Sequence, residues 1–74
     1  MVIVYTKPSC VQCKRTKDLM DSHGIEYETV DISENPEARQ NLIAQGYSQM
    51  PIVHTTNDEW SGFRPYKIKE LAND

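Results

Sequence analysis

The chain has 74 residues, 38% of them hydrophobic and 26% charged, with a net charge of −3 and a sequence pI near 5.2. That length admits one domain, 1–74, whose core contributes only a few kcal/mol of net stability, so a large ligand pocket is not expected. The acidic balance argues against a nucleic-acid surface, no apolar run approaches a membrane span, and the opening MVIVYTKPSC lacks a secretory pattern, which predicts a cytoplasmic protein.

In chain order, VIVY at residues 2–5 is a continuous, β-branched apolar run that predicts a buried strand. Pro8 ends it, and Ser9 with Gln12 forms the S-x-x-Q capping box, which predicts a helix with Cys10 in its first turn. Cys13, Thr16, Leu19 and Met20 recur at steps of three or four and mark its inner face, while Lys14, Arg15, Lys17 and Asp18 face water. His23 and Gly24 close this helix. IEYETV at 25–30 alternates with period two, and the resulting strand–helix–strand unit has the makings of a right-handed parallel crossover. For a second helix, Asn35 supplies the cap, Pro36 the first position, Ala38 and Leu42 the inner stripe, and Gly46 the stop. PIVHT and EWS, either side of the turn-forming TND, predict two short antiparallel strands. Pro65 opens a last helix in which Ile68 and Leu71 share a face. The order β-α-β-α-β-β-α predicts an α/β thioredoxin fold with a four-stranded mixed sheet flanked by three helices.

The chemistry concentrates in CVQC at 10–13, which holds the only two cysteines. A purely structural disulfide closing so small a loop removes little unfolded-state entropy, and cytosolic thiols are mostly kept reduced. Structural zinc takes about four ligands; His23 and His54 would have to complete the set, and their spacing fits no finger pattern, so no metal site is predicted. Redox exchange needs the pair at a strand-to-helix junction, where unpaired N–H groups and the helix dipole favour a thiolate. The pattern puts the pair there. Cys10, nearer the helix start, is the expected nucleophile and Cys13 the resolving thiol, passing two electrons through a reversible disulfide. Lys7, Lys14, Arg15 and Lys17 predict a positive rim around the sulfurs, while acidic residues lie in later segments.

YTKPSCVQC, the GY followed by QMP before the third strand, and above all WSGFRP at 60–65 resemble the NrdH redoxins, glutaredoxin-like electron donors of class Ib ribonucleotide reductase, from end to end. The resemblance implies a cis peptide at Met50–Pro51 facing the cysteines, with Met50 offering backbone groups to an extended partner segment. It implies a partner-facing surface of Lys7, Val11, Gln12, Met50, Pro51, Trp60, Ser61, Gly62, Phe63 and Arg64. Trp60 and Phe63 are expected to be partly buried, Gly62 to allow a tight bend, and Arg64 to anchor that bend by hydrogen bonds. Glutathione-using relatives grip the tripeptide with a Gly-Gly pair and acidic residues at the last helix; SGFRPYKIKE has neither feature directly after Pro65. The resemblance therefore implies a monomer with no bound cofactor, reduced by thioredoxin reductase from NADPH and oxidised by the reductase's large subunit. The alternatives are a glutathione-dependent glutaredoxin, a general protein disulfide reductase, a metal or iron–sulfur module and a structural adaptor. One departure is Tyr66, where these redoxins commonly carry an acidic residue.

Overall fold

A computed structural model describes residues 1–72 of the chain, so residues 73 and 74 of the expected domain lie outside the described residues. The elements are β1 (Ile3–Thr6), α1 (Val11–Ser22), β2 (Glu28–Asp31), α2 (Pro36–Ala44), β3 (Ile52–His54), β4 (Glu59–Ser61) and α3 (Pro65–Ala72). They form a four-stranded sheet in the order β2-β1-β3-β4, with β2 parallel to β1 and the other two pairings antiparallel. This is the thioredoxin fold, in the element order expected.

Alternation along the strands builds the core. Val4, Val53 and Trp60 are cross-strand partners in one row, so their side chains share a face of the sheet. Met20 from α1 and Ile68 from α3 pack onto that row as a buried cluster, with Leu71 and Phe63 at its margin. Along α1 the buried positions are Cys13, Thr16 and Met20, the spacing of one helical face. Ile52 and Leu42 are also buried but fall outside this cluster.

Three strands differ in their bounds from expectation, β3 keeping only Ile52–His54 of PIVHT. β1 drops Val2 and gains Thr6, whose buried side chain continues the inward alternation of Val4. β2 keeps only the second half of IEYETV and extends to Asp31. The alternation before it has another cause: Ile25 and Tyr27 pack against the core while unpaired in the sheet, and Ile25 N–H donates to Met20 O, 3.0 Å, at the end of α1. The helix stops match the sequence. Gly24 (φ 69°) and Gly46 (φ 92°) follow the caps of α1 and α2 in the left-handed conformation that glycine adopts most freely. Asn35 Oδ1 accepts Ala38 N–H at 3.1 Å, with Pro36 in the first turn.

Because so small a core has little surplus, Ile68→Ala should cost about 2–5 kcal/mol. A large fall in the urea midpoint of the variant is the expected result, read by tryptophan fluorescence.

Candidate active site

β1 hands the chain to Lys7, Pro8 and Ser9, and Ser9 adopts φ 60°, a left-handed turn uncommon for a residue with a side chain. That turn moves the helix cap one residue on. Cys10, not Ser9, is the N-cap of α1: its extended backbone precedes the first turn and its Sγ accepts Cys13 N–H at 3.1 Å. The capping box read from Ser9 and Gln12 therefore does not form, and the Gln12 side chain reaches elsewhere.

Cys10 and Cys13 are joined by a disulfide, with Cα atoms 5.2 Å apart. Cys10 is half-buried, whereas Cys13 is only 2% exposed beneath it. Cys10 is thus the more accessible of the two, and Cys13 is shielded by the first turn. The Met50–Pro51 peptide is cis, and the Met50 carbonyl oxygen lies 3.7 Å from Cys10 Sγ. Pro51 is buried and Met50 half-buried, while Val11, between the cysteines, is 66% exposed.

The WSGFRP stretch closes the other side. Gly62 turns at φ 84° and donates its N–H to Pro51 O, 2.8 Å. Arg64 Nε donates to Ser61 O, 3.2 Å, which is the bend-anchoring bond expected of it. Phe63 N–H donates to Gln12 Oε1 at 3.3 Å, linking this loop to the cysteine helix. Phe63 is half-buried as expected, but Trp60 is 5% exposed and belongs to the core cluster. Its Nε1 has no hydrogen-bond partner among the described residues, and the Lys67 ammonium stands 5.3 Å from the ring centroid. Tyr66, in the first turn of α3, is 57% exposed.

Between Lys7–Pro8, α2 and Met50 opens a cavity of about 400 Å3 whose walls include Lys7, Pro8, Arg39, Ile43, Tyr47 and Met50 and neither cysteine. Arg39, Ile43 and Tyr47 were not foreseen as site residues. They come from α2 and the loop after it, and only the fold, which sets both around one cavity, brings them near Lys7. Neither Lys7 nor Arg39 is in an ion pair among the described residues. The expected positive rim is otherwise thinner than its sequence clustering suggests, because Lys14 turns along the helix to Asp18, 3.3 Å away. Tyr47 is fixed at the cavity wall by its hydroxyl, which donates to Glu59 Oε1 at 2.8 Å; Glu59 Oε2 lies 2.9 Å from His54 Nδ1. The bond to Glu59 raises the Tyr47 phenol above its usual range, and hydrogen bonds from Tyr47 and then His54 lower the Glu59 carboxyl. His23 caps α1 at the surface, and no three His, Cys, Asp or Glu side chains among the described residues are arranged to hold a metal.

A surface-facing sulfur at a helix start, a shielded partner one turn later and a cis-proline carbonyl beside them form a site for thiol–disulfide exchange. The Glutaredoxin family model matches residues 2–59. The glutaredoxin-like protein NrdH of Salmonella typhimurium is 44% identical over 95% of this chain and 86% of its own. The chain is an NrdH-type member of the glutaredoxin family. Its counterpart in Lactococcus lactis is 36% identical over 97% of this chain and the whole of the relative. Among solved structures, Escherichia coli NrdH-redoxin, described as having a thioredoxin-like activity profile, superposes with a TM-score of 0.92 at 41% identity, covering 95% of this chain and 92% of that one. Membership establishes a glutaredoxin-like redox protein with a disulfide-capable Cys10–Cys13 pair, a thiol–disulfide oxidoreductase. No helix among the described residues is long and apolar enough to cross a membrane.

The lowered carboxyl of Glu59 carries a sign for stability. A folded-state value below the unfolded one, about 4.3 for Glu, means that the folded protein binds fewer protons. The stabilisation is therefore complete above that unfolded value and lost as pH falls through the folded value. Urea denaturation of wild type and Glu59→Gln should show the variant less stable at pH 7, with the gap closing as the pH is lowered towards 3.

Proposed function

We propose that this protein is a cytoplasmic, monomeric electron carrier that takes electrons from thioredoxin reductase and delivers them to the large subunit of a class Ib ribonucleotide reductase. The observation that carries the reading is the asymmetric disulfide at the start of α1, with Cys10 open to partners and Cys13 buried beneath it.

Cys10 Sγ sits at the positive end of α1 and accepts Cys13 N–H in the disulfide form, a position that suits a thiolate once the disulfide is reduced. It attacks one sulfur of the acceptor's disulfide, forming a mixed disulfide and releasing the acceptor's other sulfur as a thiolate. Cys13 then gives up its proton and attacks Cys10 Sγ; the bond to the acceptor breaks and the Cys10–Cys13 disulfide forms. Two electrons have passed to the acceptor, which leaves as a dithiol. A thiolate of thioredoxin reductase reverses the sequence by attacking Cys10 Sγ, the more accessible of the two sulfurs, its own electrons coming from NADPH. On this reading the carrier needs no bound cofactor.

Partner docking draws on the backbone at Met50–Pro51, on Val11 and the 60–64 loop, and on Lys7 at the cavity rim. Lys7 and Arg39 suit an acceptor segment that is acidic around its cysteines. Reduction by thioredoxin reductase rather than glutathione is supported by the E. coli relative's thioredoxin-like activity profile and by α3, whose first turn holds no acidic residue to grip a tripeptide ammonium.

NADPH consumption with a protein-disulfide acceptor separates the two reductants. Turnover is expected with thioredoxin reductase and none above background with glutathione plus glutathione reductase; the converse result would replace this reading with a glutathione-dependent glutaredoxin. Cys13→Ser should turn over at less than about one-hundredth of the wild-type rate and accumulate a mixed disulfide, because the resolving step is lost. Non-reducing electrophoresis and mass mapping should place that adduct on Cys10.

A further inference from the structure

Three segments far apart in the chain meet at Gly62. Its N–H donates to Pro51 O at 2.8 Å, and a Cβ built on it would sit 3.6 Å from Gln12 Oε1 and 4.0 Å from Gln49 Oε1. One residue later, Phe63 N–H donates to Gln12 Oε1, 3.3 Å. Among the described residues this is the only side-chain hydrogen bond from the cysteine helix to the 60–64 loop. The Gln12 backbone is itself held, since its carbonyl accepts Thr16 Oγ1 at 2.8 Å and its residue lies within the ring closed by Cys10 and Cys13. On its far side the loop is closed by Arg64 Nε on Ser61 O.

From this geometry we propose that Gln12 is a positioning residue. Its side-chain carbonyl holds Ser61–Arg64 at a set distance from Cys10, and so determines how well a reductase docks over the disulfide, acting through the loop rather than as a contact. An amide side chain is suited to this because its oxygen accepts from the backbone without placing a charge beside the Cys10 sulfur, and its length spans from the first turn to the loop. The part concerning docking rests on the proposed reduction by thioredoxin reductase; the part concerning the loop does not.

The test has two arms. Amide hydrogen exchange of the oxidised protein alone, followed by NMR, should show Phe63 exchanging about two- to tenfold faster in Gln12→Met, the span of one ordinary hydrogen bond, and near the wild-type rate in Gln12→Glu, which keeps an acceptor oxygen. In steady-state assays, the KM of thioredoxin reductase for Gln12→Met should rise by a similar factor with kcat unchanged. Equal Phe63 exchange in wild type and Gln12→Met overturns the proposal. So does an unchanged KM for a Gln12→Met variant whose Phe63 amide exchanges faster, which would separate the loop from docking. If wild type is no substrate for thioredoxin reductase, the proposed function fails, and the exchange arm still decides whether Gln12 holds the loop.

Discussion

A helix begins with backbone N–H groups that its own carbonyls cannot reach, and in α1 the sulfur of Cys10 takes one of them. Much else in the site depends on that bond. It requires Cys10 to be extended at the cap, which the left-handed turn at Ser9 provides, and it holds the Cys10 sulfur at the positive end of the helix. The next inward-facing position is Cys13, one turn on and buried, so the same helix geometry that caps the helix with one sulfur shelters the other. Asymmetric burial of two identical side chains follows from their places in a single turn.

Sheet register explains why the other site segments lie where they do. Tyr5, Ile52 and Ser61 are successive cross-strand partners, with β1 running opposite to β3 and β3 opposite to β4. The exit of β1, the entry of β3 and the exit of β4 therefore share one end of the sheet. The cysteine loop, the cis-proline loop and the 62–64 loop emerge there together, and β2, parallel to β1, brings Ile32 and Ser33 to the cavity at the same end. The row Val4–Val53–Trp60 just behind anchors those strands in the core, where Trp60 is buried among Met20 and Ile68. Trp60 thus supports the loop that follows it from within, while Val11, Phe63 and Tyr66 remain accessible.

Most of the fold was legible in the sequence because its local signals agreed with one another. Strand alternation, the Asn35-Pro36 start, the glycine stops and the inner stripe of α1 each described an element that exists. The boundary errors share a cause: periodicity reports which side chains face the core, not which backbones pair, so Ile25 and Tyr27 looked like strand while packing as connector. The capping box misled in a related way. Ser9 and Gln12 have the right spacing, yet the turn geometry at Ser9 gives the cap to Cys10 and frees Gln12 for the loop.

By itself the sequence determined the cysteine pair, its place at a strand-to-helix junction and the family to which the chain belongs, because these reside in contiguous residues whose spacing is read directly. Only the tertiary structure decided that Arg39 and Tyr47 share a cavity with Lys7, that Lys14 turns to Asp18, and that Gln12 reaches Phe63. Such pairings are set by how the helices dock on the sheet and by which rotamer finds a partner, and no short window of sequence encodes either.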